Sequence, residues 1–113
     1  KPDLSITKGC AVLDGFDSKL LNWISDSGVA AIASDNLAVE ATGKKVTSQS
    51  NGSNLPLHEL CLFRLGVHLG ELWYLAELAK YLKANNRNRF LLTAPPLRLT
   101  GAVGSPLTPI ATV

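Results

Sequence analysis

Two residues in this chain are the most direct candidates for chemistry, His58 and Glu71. His58 follows Pro56 by two positions and so falls in the first turn of a helix, while Glu71 stands just past a short apolar run. Imidazole nitrogen and carboxylate oxygen are ligands for a divalent metal, and the same pair can work as acid and base, so one edge of a sheet carrying both could do either. The second histidine, His68, lies between Val67 and Leu69, and strand alternation turns it to the face opposite theirs. Asp35 and Glu40 flank a strand end, where open α/β sheets place ligand-binding groups. Gly101, Gly104, Ser105 and Pro106 form a turn whose N–H groups and hydroxyl could meet an anionic or carbonyl substrate, with Asp35, Gly104 and Ser105 the substrate-binding candidates. No GK[ST] follows those glycines and Ser105 sits in no G-x-S-x-G elbow, so neither a P-loop nor a nucleophile elbow is present.

The elements that must position these groups are short. Residues 10–13 read as a strand ended by a turn at Asp14 and Gly15. Apolar Phe16, Leu20, Leu21, Trp23 and Ile24 recur at helical spacing over 16–27, with Asp14 or Asp17 to cap the start and Gly28 suited to a left-handed end. Residues 29–33 predict a buried strand, and 42–54 a polar surface loop in which Asn51 and Gly52 make a turn. A helix from Pro56 to Leu65, capped by Asn54 and stopped at Gly66, leads into a strand over 67–69. Leu75, Leu78, Ala79 and Leu82 mark an amphipathic helix with Lys80 and Lys83 near its end. Residues 90–94 predict a strand, Pro95 and Pro96 interrupt it, residues 97–100 resume it, and 109–113 close as a last strand. Helices alternating with short apolar strands predict an α/β fold.

Composition narrows the function classes. At 113 residues the chain has room for one domain, or a portion of a larger one. With 46% hydrophobic and 18% charged residues it is built to pack a core rather than to stay disordered. The net charge of +2 comes from scattered basic residues, without the stripe expected of a nucleic-acid binder. No apolar run reaches the length of a membrane span. Cys10 and Cys61 fit no CxxC motif, and two free thiols in a reducing, cytoplasmic setting are expected.

Several words of the sequence, taken in order, resemble a known family. These are WISDSGVAAIASDN over 23–36, then Val39 and Glu40, LPLH over 55–58, LGV over 65–67, ELW over 71–73, APPL over 94–97, GSP over 104–106, and Ile110 with Ala111. Together they resemble the C-terminal half of the cyclase-like metal-dependent hydrolases, the family of bacterial kynurenine formamidase and isatin hydrolase. The resemblance implies a swivelling β/β/α fold in which water activated on zinc or manganese hydrolyses an amide, lactam or ester of a small molecule. It also implies that His58 and Glu71 occupy catalytic or metal-proximal positions. The family's principal motif, His-x-Gly-Thr-His-x-Asp-x-Pro-x-x-x-His, is absent, and two histidines cannot rebuild it. What the resemblance implies is therefore a C-terminal portion of a longer enzyme, or one chain of a split and oligomeric one. Its partner would be the segment or chain that carries the metal motif, without which activity is not expected. The alternative is a non-catalytic binding or interaction module that kept the fold.

Overall fold

The computed structural model describes residues 11–42 and 52–113. Cys10 and most of the expected loop 42–54, Asn51 included, lie outside the described residues. The chain divides into two compact units, residues 1–73 and 74–113.

In the first unit, α1 (Ser18–Ser27) starts two residues later than the apolar periodicity predicts, because both expected caps are used in series. Asp14 accepts the Phe16 N–H at 3.0 Å and makes the turn, and Asp17 then caps the helix by accepting the Lys19 N–H at 2.8 Å. Gly28 closes α1 at φ 70°, the left-handed conformation that glycine takes without steric cost. Strand β1 (Ala31–Ala33) pairs in parallel with β2 (His68–Gly70), with Ile32 opposite Leu69. Parallel pairing needs a crossover, and the helical stretch between them supplies it.

That stretch is not one uniform helix. A single α-helical turn, α2 (Pro56–His58), passes directly into a π-helix (Glu59–Leu65), which ends at Gly66 with φ 69° as the Gly66 N–H donates to the Cys61 carbonyl. The expected strand over residues 10–13 contracts to one parallel bridge, Leu13 to Glu40, made by the Leu13 N–H to Val39 O at 3.0 Å and the Ala41 N–H to Leu13 O at 2.8 Å. The core of this unit is Ile24, Val39, Leu57, Cys61 and Val67, with Leu13, Leu20, Leu21, Val29, Ile32, Leu60 and Leu69 packed around it.

The second unit holds α3 (Ala76–Ala84) and an antiparallel pair, β3 (Leu91–Thr93) with β4 (Ile110–Thr112). Residues 97–100 do not resume a strand. Pro96 makes a lone bridge with Leu107, and the Leu99 N–H then turns back onto Leu97 O at 3.0 Å, which takes the chain out of any ladder. None of the residues of α3 or β3 is buried. The mixture of helices and short two-stranded sheets is an α/β arrangement, and among the described residues no helix is long and apolar enough to cross a membrane.

Ile24, 1% exposed, is where α1 meets the core. Replacing it with alanine removes methylene and methyl groups from a packed site, so Ile24→Ala is expected to lower unfolding stability by about 2–5 kcal/mol. A fall in the urea midpoint with an unchanged denaturant slope checks this.

Candidate functional site

The site is assembled from three carboxylate and imidazole groups on three different segments. Glu40 follows Val39 on the strip that bridges to Leu13, His58 ends α2, and Glu71 leaves the C-terminal end of β2. Glu40 has a fully buried side chain. Its Oε1 accepts the Leu57 N–H at 3.0 Å, and its Oε2 accepts the His58 N–H at 3.1 Å and lies 2.8 Å from His58 Nδ1. On the other side of the ring, His58 Nε2 lies 3.3 Å from Glu71 Oε1, and that oxygen also accepts the Val39 N–H at 3.1 Å. Adjacent residues 39 and 40 thus hold the two partners of one imidazole.

The local chain explains why the carboxylate goes there. Proline at the start of α2 offers no N–H, Leu55 occupies the N-cap without a side-chain hydrogen bond, and the next amides of the helix would be buried and unpaired. Glu40 reaches across from another segment and satisfies them, the job expected of Asn54. Space for it is made by Gly15, which is buried; any Cβ at that position would overlap Glu40 Oε1 and crowd the Leu57 N–H.

Glu71 is fixed by an unusual bend. Leu72 has φ 59°, a left-handed conformation costly for a side chain with a Cβ, and it is held by the Leu72 N–H to Asn36 O at 2.9 Å and the Trp73 N–H to Ser34 O at 3.0 Å. The Trp73 indole then closes over Gly70, where an added Cβ would lie 2.8 Å from the ring. Asn36 is buried and donates through Nδ2 to Ala11 O, tying the end of β1 to the Leu13 strip. The Ser34 hydroxyl is buried with no hydrogen-bond partner among the described residues.

His58 and Glu71, separated by a helix turn and a strand in sequence, therefore meet. Glu40 joins them, a residue expected with Asp35 among ligand-binding groups at a strand end and found instead buried against His58; its signal was a glutamate directly after the apolar Val39, where burial forces a carboxylate to find donors. Asp35 is exposed on the turn after β1 and takes no part in the His58 cluster. Gly104 and Ser105 belong to the second unit, where the Ser105 hydroxyl lies within hydrogen-bond distance of Leu97 O (2.9 Å) and Pro106 O (3.0 Å). His68 is exposed, as its alternation with Val67 and Leu69 predicts. A cleft of about 590 Å³ lined by Phe16, Leu21, Pro56 and Leu60 includes neither His58 nor Glu71, and its ionic pair, Glu59 with Arg64, is already closed at 2.6 Å.

Chemically, the imidazole is held between two carboxylates, with its second nitrogen facing the less buried one. Among the described residues no group of three or more His, Cys, Asp or Glu is placed to hold a metal ion, and His58 Nε2 and Glu71 Oε1 stand as a pair. Cys61 is wholly buried beneath this cluster; desolvation, then the neighbouring Glu40 charge, push its thiol above the ordinary 9.0.

No protein-family model and no curated protein matches the chain. Among solved structures it is similar to the crystal structure of a novel cyclase, at 42% sequence identity and a TM-score of 0.69, over 85% of this chain. The match spans 29% of the cyclase chain. At that identity the likeness supports a cyclase-like relationship.

Two expectations follow from this packing. Gly15→Ala displaces Glu40 from the α2 amides and is expected to lower stability by about 1–3 kcal/mol, visible as a reduced thermal midpoint. Because the Cys61 thiol is raised, it contributes no pH dependence below the ordinary thiol range. Stability then falls as pH rises between the ordinary and the raised value, where only the unfolded chain ionises. Urea unfolding at pH 7 and pH 10 should show that loss in the natural chain and less of it in Cys61→Ser.

Proposed function

We propose that this chain is part of a metal-dependent hydrolase that cleaves an amide, lactam or ester bond of a small molecule, with His58 and Glu71 as the groups at the reacting centre. The observation that carries the reading is the convergence of His58 Nε2 and Glu71 Oε1 at 3.3 Å, on a chain 42% identical to a solved cyclase. Two ligands bound to one zinc ion at about 2.0–2.1 Å in a tetrahedral arrangement stand roughly 3.3–3.4 Å apart, so the donor spacing fits a divalent ion such as zinc or manganese. Nitrogen and carboxylate oxygen are also the donor types those ions take.

A bound divalent ion would polarise the scissile carbonyl and make water available as hydroxide near neutral pH. The chain's own residues do the rest. Glu71, anchored by the Val39 N–H, presents its carboxylate at the C-terminal end of a parallel strand, the side of the sheet on which α/β proteins bind ligands. His58 Nε2 can take up or return a proton at the departing nitrogen or oxygen. Asp35, at the end of the neighbouring parallel strand, is proposed to face the substrate.

Two ligands do not complete a site, and the remaining ones are proposed to come from a segment or second chain carrying a histidine-rich motif, within a cytoplasmic oligomer. Supporting this, large apolar side chains are left at the surface: Phe63 is 86% exposed and Leu91 65%. The second reading is a non-catalytic binding or interaction module, and it rests on the lack of a third ligand beside His58 and Glu71 among the described residues.

The test uses the complete protein with its metal. His58→Ala and Glu71→Gln are each expected to lower turnover of an amide, lactam or ester substrate by about 10²–10⁴-fold and to lower metal occupancy. Retention of both occupancy and turnover in both variants would reduce the pair to scaffold.

A further inference from the structure

We infer that Glu40 is a positioning residue that selects the tautomer of His58, holding the ring proton on Nδ1 and leaving the Nε2 lone pair turned toward Glu71. This rests on the reading of His58 as a working group. Glu40 cannot itself touch a substrate, since its side chain is fully buried. Both of its oxygens already accept a backbone N–H, Oε1 from Leu57 and Oε2 from His58. An ionised carboxylate can only accept, and Oε2 keeps a lone pair beyond the one used by the His58 N–H, so at 2.8 Å the ring must be the donor.

The arrangement leaves little freedom to do otherwise. The carboxylate cannot retreat toward Gly15, whose missing side chain is the space it fills. The ring cannot turn its other nitrogen to Glu40 without giving up the contact of Nε2 with Glu71. The backbone of His58 is tied to the same carboxylate as its ring, so the first turn of α2 and the imidazole are oriented by one group. Nε2 then arrives at Glu71 Oε1 as a second acceptor, and two acceptors 3.3 Å apart are a place for a cation or a shared proton.

Leucine in place of Glu40 removes the acceptor. Nδ1 then faces an apolar side chain while Nε2 still faces the Glu71 carboxylate, so the ring proton moves to Nε2, where it blocks the lone pair. The tautomer can be read by nitrogen-15 NMR of histidine-labelled complete protein at about pH 8.5, some two units above the ordinary histidine value. Exposed His68 supplies the reference for a solvated ring. The expected spectrum gives His58 an N–H-type Nδ1 and a lone-pair-type Nε2, and Glu40→Leu exchanges the two. An N–H-type Nε2 in the unmodified protein overturns the inference with no variant needed, and so does a folded Glu40→Leu protein with the tautomer unchanged.

Equilibrium dialysis with zinc or manganese on the same samples adds a second readout, with affinity expected to fall about 10–100-fold in Glu40→Leu. The two readings fail separately. Absence of metal uptake by the unmodified complete protein sinks the hydrolase assignment and leaves the tautomer result standing, whereas the wrong tautomer sinks the role of Glu40 whatever the metal does.

Discussion

The structure of the first unit depends on a buried negative charge. Taking a carboxylate out of water is costly unless donors replace the lost hydration, and Glu40 meets that requirement with two backbone amides and an imidazole. Each donor is itself a group that burial would leave in want of an acceptor. The same contacts therefore satisfy the start of α2, fix the ring of His58, and pin the Leu13 strip against the helix that follows. Removing the carboxylate would leave amides of a buried turn without partners at about 1–3 kcal/mol each, which makes the arrangement interlocked rather than a sum of independent bonds.

Glu71 is held from the same strip by a different device. Its oxygen takes the amide of Val39, one residue before Glu40, and the backbone beyond it is bent into a conformation that leucine disfavours. Strain of this kind persists where surrounding hydrogen bonds over-determine it, and two such bonds run from residues 72 and 73 to the end of β1. Rigid supports on both sides of His58 are what a site needs if its geometry is to survive thermal motion.

Much of this was legible in the residues. The caps of α1, the left-handed glycines at 28 and 66, and the strands at 31–33 and 68–70 follow from side-chain chemistry and periodicity acting locally. That His58 and Glu71 can come to one edge of a sheet was legible from a helix start and a strand end, while the parallel pairing that brings them together was not. The part that was not legible is long-range. Pro56 announces a helix, yet nothing within the helix says that its cap arrives from Glu40, or that Gly15 is a glycine because of that carboxylate. The π-helical continuation over 59–65 is invisible to a pattern that counts apolar residues, and the turn at Leu99 defeats the expected return to a strand because a local hydrogen bond competes with the ladder.

The cap supplied from a distance also bears on how the chain reaches its fold. A helical turn of three residues has no stability of its own, since nucleation fixes several dihedral angles for one hydrogen bond. Its partner is 17 residues away, and closing a loop of that length costs about 2.5 kcal/mol beyond a constant before any contact is gained. The start of the helix therefore depends on the bridge between Leu13 and Glu40, which presents the carboxylate to its amides. In the native fold the element that bears the histidine therefore stands or falls with the strip that holds residue 40, and a change that frees the strip frees the imidazole as well.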